Sequence, residues 1–211
     1  MKLKTLALAA VVGMACASSQ AAVVFQDNFD ADNPSSALNF NSLINWTVAG
    51  GTVDYIRSGG FGITCAGGTG ACLDLDGSTG NAGRIVSRTA FSLIGGDSYL
   101  IEGLVSGNQR GGSSDSVIVG LIDDATNTVA TSATFSGILP GRPFQITQLM
   151  VTATSGNFRV FWEGVGADNV GVILDNVTFS DATTRVPEPG TLALAGLGLL
   201  AAVSLRKRRA R

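Results

Sequence analysis

The stretch N-F-R-V-F-W-E, residues 157–163, reads as a β-strand and sets the class of the whole chain. Successive strand side chains point to opposite sides, so Phe158, Val160 and Trp162 share one face and Arg159, Phe161 and Glu163 the other. The first set is a core face, and Trp162 on it is packing rather than a platform. The second set puts an aromatic ring between a donor and an acceptor, the arrangement in which a sugar stacks its C–H groups on the ring and bonds its hydroxyls to the neighbours. Arg159, Phe161 and Glu163 are therefore the candidate ligand-binding residues.

Outward from this stretch the same period recurs. Strands are expected at 23–26, 46–49, 53–57, 71–74, 84–91, 99–106, 116–123, 128–135, 144–154, 158–164 and 170–179, with turn residues about every ten positions. Only residues 34–40, with Pro34 near the start, suggest a helical turn. The segment G-N-Q-R-G-G-S-S, 107–114, reads as a Gly/Ser-rich loop. These features predict an all-β chain with one sandwich domain.

Residues 22–185 hold seven arginines against 15 acidic groups, and contain neither lysine nor histidine. So acidic a surface repels phosphate backbones, which excludes nucleic acid as a partner. Without histidine there is no Ser-His-Asp or Cys-His relay and no His-ligated metal; without lysine there is no Schiff base. A carboxylate pair is the common hydrolytic design left, drawing on Glu102 and Glu163 with Asp97 or Asp168. Neither glutamate sits in a motif, and no catalytic residue is assigned.

The two ends are processing segments. Met1 to Lys4 carry two lysines, residues 6–17 are apolar or small, and Ser19-Gln20-Ala21 fits a signal-peptidase site, so residues 1–21 are expected to be a signal peptide. Export leaves Cys65 and Cys72, separated by six small residues, and an even count outside the cytoplasm predicts one disulfide. At the other end Pro187 and Pro189 favour an extended segment. Residues 191–205 follow without a charge, and then R-K-R-R-A-R, 206–211. At 1.5 Å per residue that uncharged run spans roughly 22 Å, short of a ~30 Å hydrocarbon core, so it crosses as a short transmembrane helix only with help from its flanks. Arg206, Lys207, Arg208 and Arg209 are the basic stop that holds the end on the cytoplasmic side.

The order of these parts resembles the PEP-CTERM sorting signal of exported bacterial proteins. Val186, Pro187, Glu188 and Pro189 match its V-P-E-P motif. The resemblance implies recognition at the inner membrane by an exosortase, in bacteria that make extracellular polysaccharide. The opening F-Q-D-N-F-D, 25–30, and the closing G-V-I-L-D-N-V-T-F-S, 171–180, resemble the first and last strands of jelly-roll, galactose-binding-like carbohydrate-binding domains. In several such families the terminal strands share a structural calcium, and Asp27, Asp30 and Asp175 are the implied ligands here. Asp74-Leu75-Asp76-Gly77 has alternating acids and a glycine but lacks the third acid and late glutamate of a calcium loop, so it reads as a strand end entering a turn.

Together these readings describe an exported, exosortase-sorted, non-enzymatic protein of the cell surface or extracellular matrix, with a jelly-roll-like sandwich that binds polysaccharide. A glycoside-active enzyme and a purely structural or adhesive matrix protein are the alternatives. Changing Pro187-Glu188-Pro189 to three alanines should trap the chain as a full-length inner-membrane species, seen by immunoblot of fractionated cells. A wild-type protein equally uncut in the inner membrane would reduce the tail to an ordinary anchor.

Overall fold

The computed structural model describes residues 21–166 and 168–183. The signal peptide up to Gln20 and the whole sorting tail lie outside the described residues. Twelve strands follow in chain order: β1 (Ala22–Asp27), β2 (Trp46–Ala49), β3 (Asp54–Arg57), β4 (Ala71–Asp74), β5 (Arg84–Ser87), β6 (Phe91–Leu93), β7 (Ser98–Ser106), β8 (Asp115–Asp123), β9 (Thr128–Ile138), β10 (Gln145–Thr152), β11 (Gly156–Val165) and β12 (Ile173–Asp181). One sheet runs β10-β7-β12-β4-β3 with β1 also paired to β12. The other runs β2-β5-β11-β8-β9 with β6 also paired to β11. All strand pairs are antiparallel. The span Ala21–Thr183 is one unit with its own core, as a two-layer domain requires.

The inner faces meet where the alternation says they should. Phe158, Val160 and Trp162 of β11 are all core residues. Trp162 lies against β7 and β12 at Gly103: a Cβ on that glycine would come within 2.9 Å of the indole and of Leu174 Cδ1. A second aromatic group fills one end, where Phe91 meets Phe179 at 5.1 Å and Phe25 meets Trp46 at 5.5 Å between ring centroids. Such edge and tilted contacts suit rings that bury most of their area. The Asp27 carboxylate accepts from Trp46 Nε1 at 2.8 Å and from Asn45 Nδ2 at 3.0 Å, so the one polar atom of that indole is satisfied.

Two local expectations are corrected. The expected single strand at 84–91 is two, β5 and β6, both paired to β11. Between them the chain leaves the ladder, and the Ser87 hydroxyl accepts the buried Val160 N–H in place of a carbonyl while donating to Thr89 O. Residues 34–40 form no helical turn. Their backbone is drawn onto the edge of β3: Ala37 and Tyr55 exchange both N–H···O bonds, and Phe40 N–H reaches Val53 O. Long-range pairing satisfies these groups better than a lone helical turn, whose ends stay unpaired.

A second apolar cluster lies on the outer face of β3, β4 and β12, where Ile56, Cys72 and Ile173 are covered by Ile63 and Cys65 of the 58–70 loop. Cys65 and Cys72 are bonded as expected. That bond ties the loop to β4 and seals this part of the outer face. Replacing both cysteines by serine should lower the stability of the exported domain by about 2 kcal/mol in a urea titration, the value for a short closed loop. An unchanged midpoint, or two freely alkylated thiols in exported protein, would remove the staple.

Candidate functional site

The disulfide loop covers one side of the outer face of β12, and what remains open is the stretch shared with β1, β7 and β10. Its shape comes from a bulge. Leu174, Val177 and Phe179 all enter the core, so strict alternation fails between 174 and 177. The register of β12 against β7 slips between Asp175 and Thr178. Asn176 absorbs the extra residue with φ of 48°, a left-handed conformation that asparagine tolerates better than most side chains. The bulge turns Asn176 outward, where it is exposed.

Beside it runs a groove of about 410 Å³ lined by Gln26, Asp27, Asn28, Asn45, Asn176 and Thr178. Thr178 and Asn176 also border a smaller hollow of about 170 Å³ with Glu102, Leu104 and Ile146. Asn28 is tied to Asp30 and Asn45 donates to Asp27, so the groove presents their remaining amide donors and acceptors, with those of Gln26 and Asn176, to a row of hydroxyls. No aromatic ring lines either hollow. Trp46, Trp162, Tyr55 and Tyr99 are all buried. Reading the sequence missed these amides; the signal was the broken alternation at Leu174 and Val177, which marks a bulge but not what it faces.

The candidate platform on β11 is different from the expected one. Arg159, Phe161 and Glu163 do share the outer face of the second sheet, but Phe161 is only 1% exposed. The Arg84 guanidinium sits 5.0 Å above its ring, and Arg84 Nε and Nη2 donate to Glu163 Oε2 at 3.0 and 2.6 Å. Arg159 is paired with Asp124. The ring and its neighbours are thus occupied by protein groups, and the face is no open aromatic platform.

Asp27, Asp30 and Asp175 do not gather as a three-carboxylate site. Among the described residues no group of three or more His, Cys, Asp or Glu side chains is positioned to hold a metal ion. Each is held by its own donors, and of the three only Asp30 and Asp175 are close enough to act on one another. Asp27 serves Trp46 and Asn45, Asp30 accepts from Ala71 N at 2.6 Å, and Asp175 accepts from Ala66 N at 3.0 Å and Asn176 N at 2.7 Å. Asp30 and Asp175 thereby clamp the two ends of the disulfide loop. The glutamates are also apart: Glu102 is on the outer face of one sheet and Glu163 on that of the other, so the sandwich stands between them. They cannot face one glycosidic bond.

Comparison with known proteins bears on both ends of the reading. Residues 185–209 match the model of the PEP-CTERM protein-sorting motif. That motif indicates an exported protein with a C-terminal sorting signal. The sandwich superimposes on the CBM22-1 xylan-binding domain of Paenibacillus barcinonensis Xyn10C with a TM-score of 0.50 and 13% identity, over 80% of this chain and 100% of that one. It also superimposes on the N-terminal CBM22-1 and GH10 modules of endo-1,4-beta-D-xylanase 10B from Clostridium thermocellum, with a TM-score of 0.50 and 18% identity. That match covers 80% of this chain and 30% of the xylanase chain, so this chain spans under a third of it. The shared feature is the jelly-roll fold. No curated protein sequence matches the chain.

Burial dominates the acids that shape the site. Asp175 is pushed up to about 6 by burial, with the Ala66 and Asn176 N–H groups acting against it and Asp30 adding to it. Burial also raises Asp32, Asp74, Asp76 and Asp115. Between the usual 3.8 and about 6, folded Asp175 holds a proton that the unfolded chain has lost. Its contribution to stability is therefore complete below pH ~4 and is lost as pH rises through ~6. The melting temperature should rise when the pH is lowered from 7.5 to 5, and Asp175→Asn should shrink that difference. A melting temperature that falls steadily on acidification would contradict the assignment.

Proposed function

We propose that the chain is a non-enzymatic polysaccharide-binding protein of the cell surface or extracellular matrix, delivered by signal peptidase and exosortase. The amide-lined groove on β1 and β12 carries this reading. Sugars are recognised by hydrogen bonds to hydroxyls and by stacking on rings. Here every Trp and Tyr ring is buried and no ring lines the groove, so hydrogen bonding through Gln26, Asn28, Asn45 and Asn176 supplies the recognition. Neutral hydrogen bonds contribute about 0.5–1.5 kcal/mol each, so a few of them give affinity near the millimolar range per site. Such weak sites suit a protein held in a dense matrix, where many copies face many repeats and avidity multiplies the effect.

The fold supports the reading, since the Paenibacillus barcinonensis domain of the same fold is a xylan-binding domain. The proposed route places the sandwich, residues 22–185, outside the inner membrane while the basic tail holds its end inside, until cleavage near the V-P-E-P motif frees or transfers it. Affinity electrophoresis of that domain through gels containing xylan, other plant glycans and bacterial exopolysaccharides tests the binding. At least one polysaccharide should retard it, and Asn28→Ala with Asn176→Ala should weaken the retardation about tenfold, the loss expected for two neutral hydrogen bonds. No retardation by any polysaccharide, or equal retardation of the double variant, would remove the groove from the reading and favour a purely structural matrix role.

A further inference from the structure

At one end of the sandwich three loops converge, those following β4, β7 and β11, and they bring together more oxygen acceptors than donors. Asp76, on the loop after β4, is 1% exposed, and its Oδ1 has no hydrogen-bond partner. Its Oδ2 accepts the Asp168 N–H at 3.2 Å, and the Asn169 N–H also acts on this carboxylate. Asn108, on the loop after β7, is also 1% exposed, and its Oδ1 likewise has no partner, while its Nδ2 donates to Asp115 Oδ2 at 2.9 Å. Asp115 opens β8 and is 3% exposed. The two carboxylates face a common point: a Cβ built on Gly166 would lie 2.7 Å from Asp76 Oδ2 and 3.7 Å from Asp115 Oδ1. Asp168 stands at the exposed rim, its Oδ2 accepting from Ser113 Oγ at 3.2 Å.

Among the described residues no positive side chain is paired with this group. The one arginine of these loops, Arg110, is committed to Asp74 Oδ2 at 2.5 Å and Asn169 O at 2.8 Å. The four ion pairs among the described residues include none of Asp76, Asp115 or Asp168. Two buried carboxylates side by side, with a buried carboxylate oxygen and a buried amide oxygen left without a donor, are costly unless something positive sits between them. We propose that Asp76, Asp115 and the amide oxygen of Asn108 form a binding site for a hard divalent cation, calcium by ligand chemistry, at this loop end of the sandwich. Calcium takes six to eight oxygens in a flexible shell that includes carbonyls and waters, so two carboxylates and one amide make a sufficient protein share. Three carboxylates need not converge, and Asp168 at the rim serves through its charge. Magnesium, which demands a tighter octahedron and dehydrates reluctantly, fits this spread set less well. The site is separate from Asp27, Asp30 and Asp175 and independent of the glycan groove.

Isothermal titration of EDTA-treated exported domain with calcium chloride at pH 7.5 tests it. One calcium should bind per chain, with weaker binding of magnesium, and saturating calcium should raise the melting temperature by about 5 °C. The double variant Asp76→Asn with Asp115→Asn should lose at least tenfold in calcium affinity, whereas Asp175→Asn should bind as wild type. Asn108→Ala, which leaves every charge in place, should also weaken calcium and so decides the matter if the carboxylate variants do not fold. No calcium binding by the wild-type domain would overturn the site. So would binding that is unchanged in Asn108→Ala, or binding that disappears with Asp175→Asn alone.

Discussion

The Trp162 indole lying across Gly103 and Leu174 sets the distance between the two sheets, and much of the molecule follows from that contact. Any side chain at position 103 would meet the ring at 2.9 Å, so β7 can approach β11 only as a glycine. Close packing of this kind leaves little room for compromise, because interiors are as dense as organic crystals. Once the two sheets are fixed, β12 becomes the hinge of the first one, with β7 on one side and β1 and β4 sharing the other. The gap where β1 ends and β4 begins falls at Asp175 and Asn176. That is where the bulge, the disulfide loop and the groove all meet.

Charge is arranged around this frame rather than through it. The domain has no lysine or histidine, and its arginines are placed against particular acids: Arg84 on Glu163, Arg110 on Asp74, Arg159 on Asp124. The Arg84–Glu163 and Arg159–Asp124 pairs are half-exposed and contribute little each, whereas Arg110 caps a carboxylate that is fully buried. Their effect here is on which surfaces stay open. Arg84 closes the outer face of the second sheet by lying over Phe161, and the 58–70 loop closes part of the first. The face left open is the one with amides and no rings, which favours hydrogen-bonded recognition over stacking.

The period-two stretches were legible because they rest on backbone geometry alone. Phe158, Val160 and Trp162 went inside as their spacing required, and the paired cysteines followed from their even count outside the cytoplasm. What escaped reading depended on partners far along the chain. Phe161 is on the face expected for it, yet its cover comes from Arg84, whose register against Glu163 no local pattern reveals. Asp30 and Asp175 sit in the terminal segments as read, but the N–H groups of Ala71 and Ala66 claim them, and only the folded loop supplies those donors. Asp74 and Asp76 looked like the start of a turn. They are buried because the loops after β7 and β11 close over them.

The central claim is that an exported jelly roll with its Trp and Tyr rings inside presents a hydrogen-bonding glycan face built on the β12 bulge. Side-chain amide resonances of the isotope-labelled domain, followed by NMR during titration with oligosaccharides from a polysaccharide that retards it, test this most directly. The expected result is shifts confined to Gln26, Asn28, Asn45 and Asn176, with the Arg84 and Arg159 guanidinium signals unmoved. Shifts centred on the Arg84, Phe161 and Glu163 face, or none at the four amides, would contradict it.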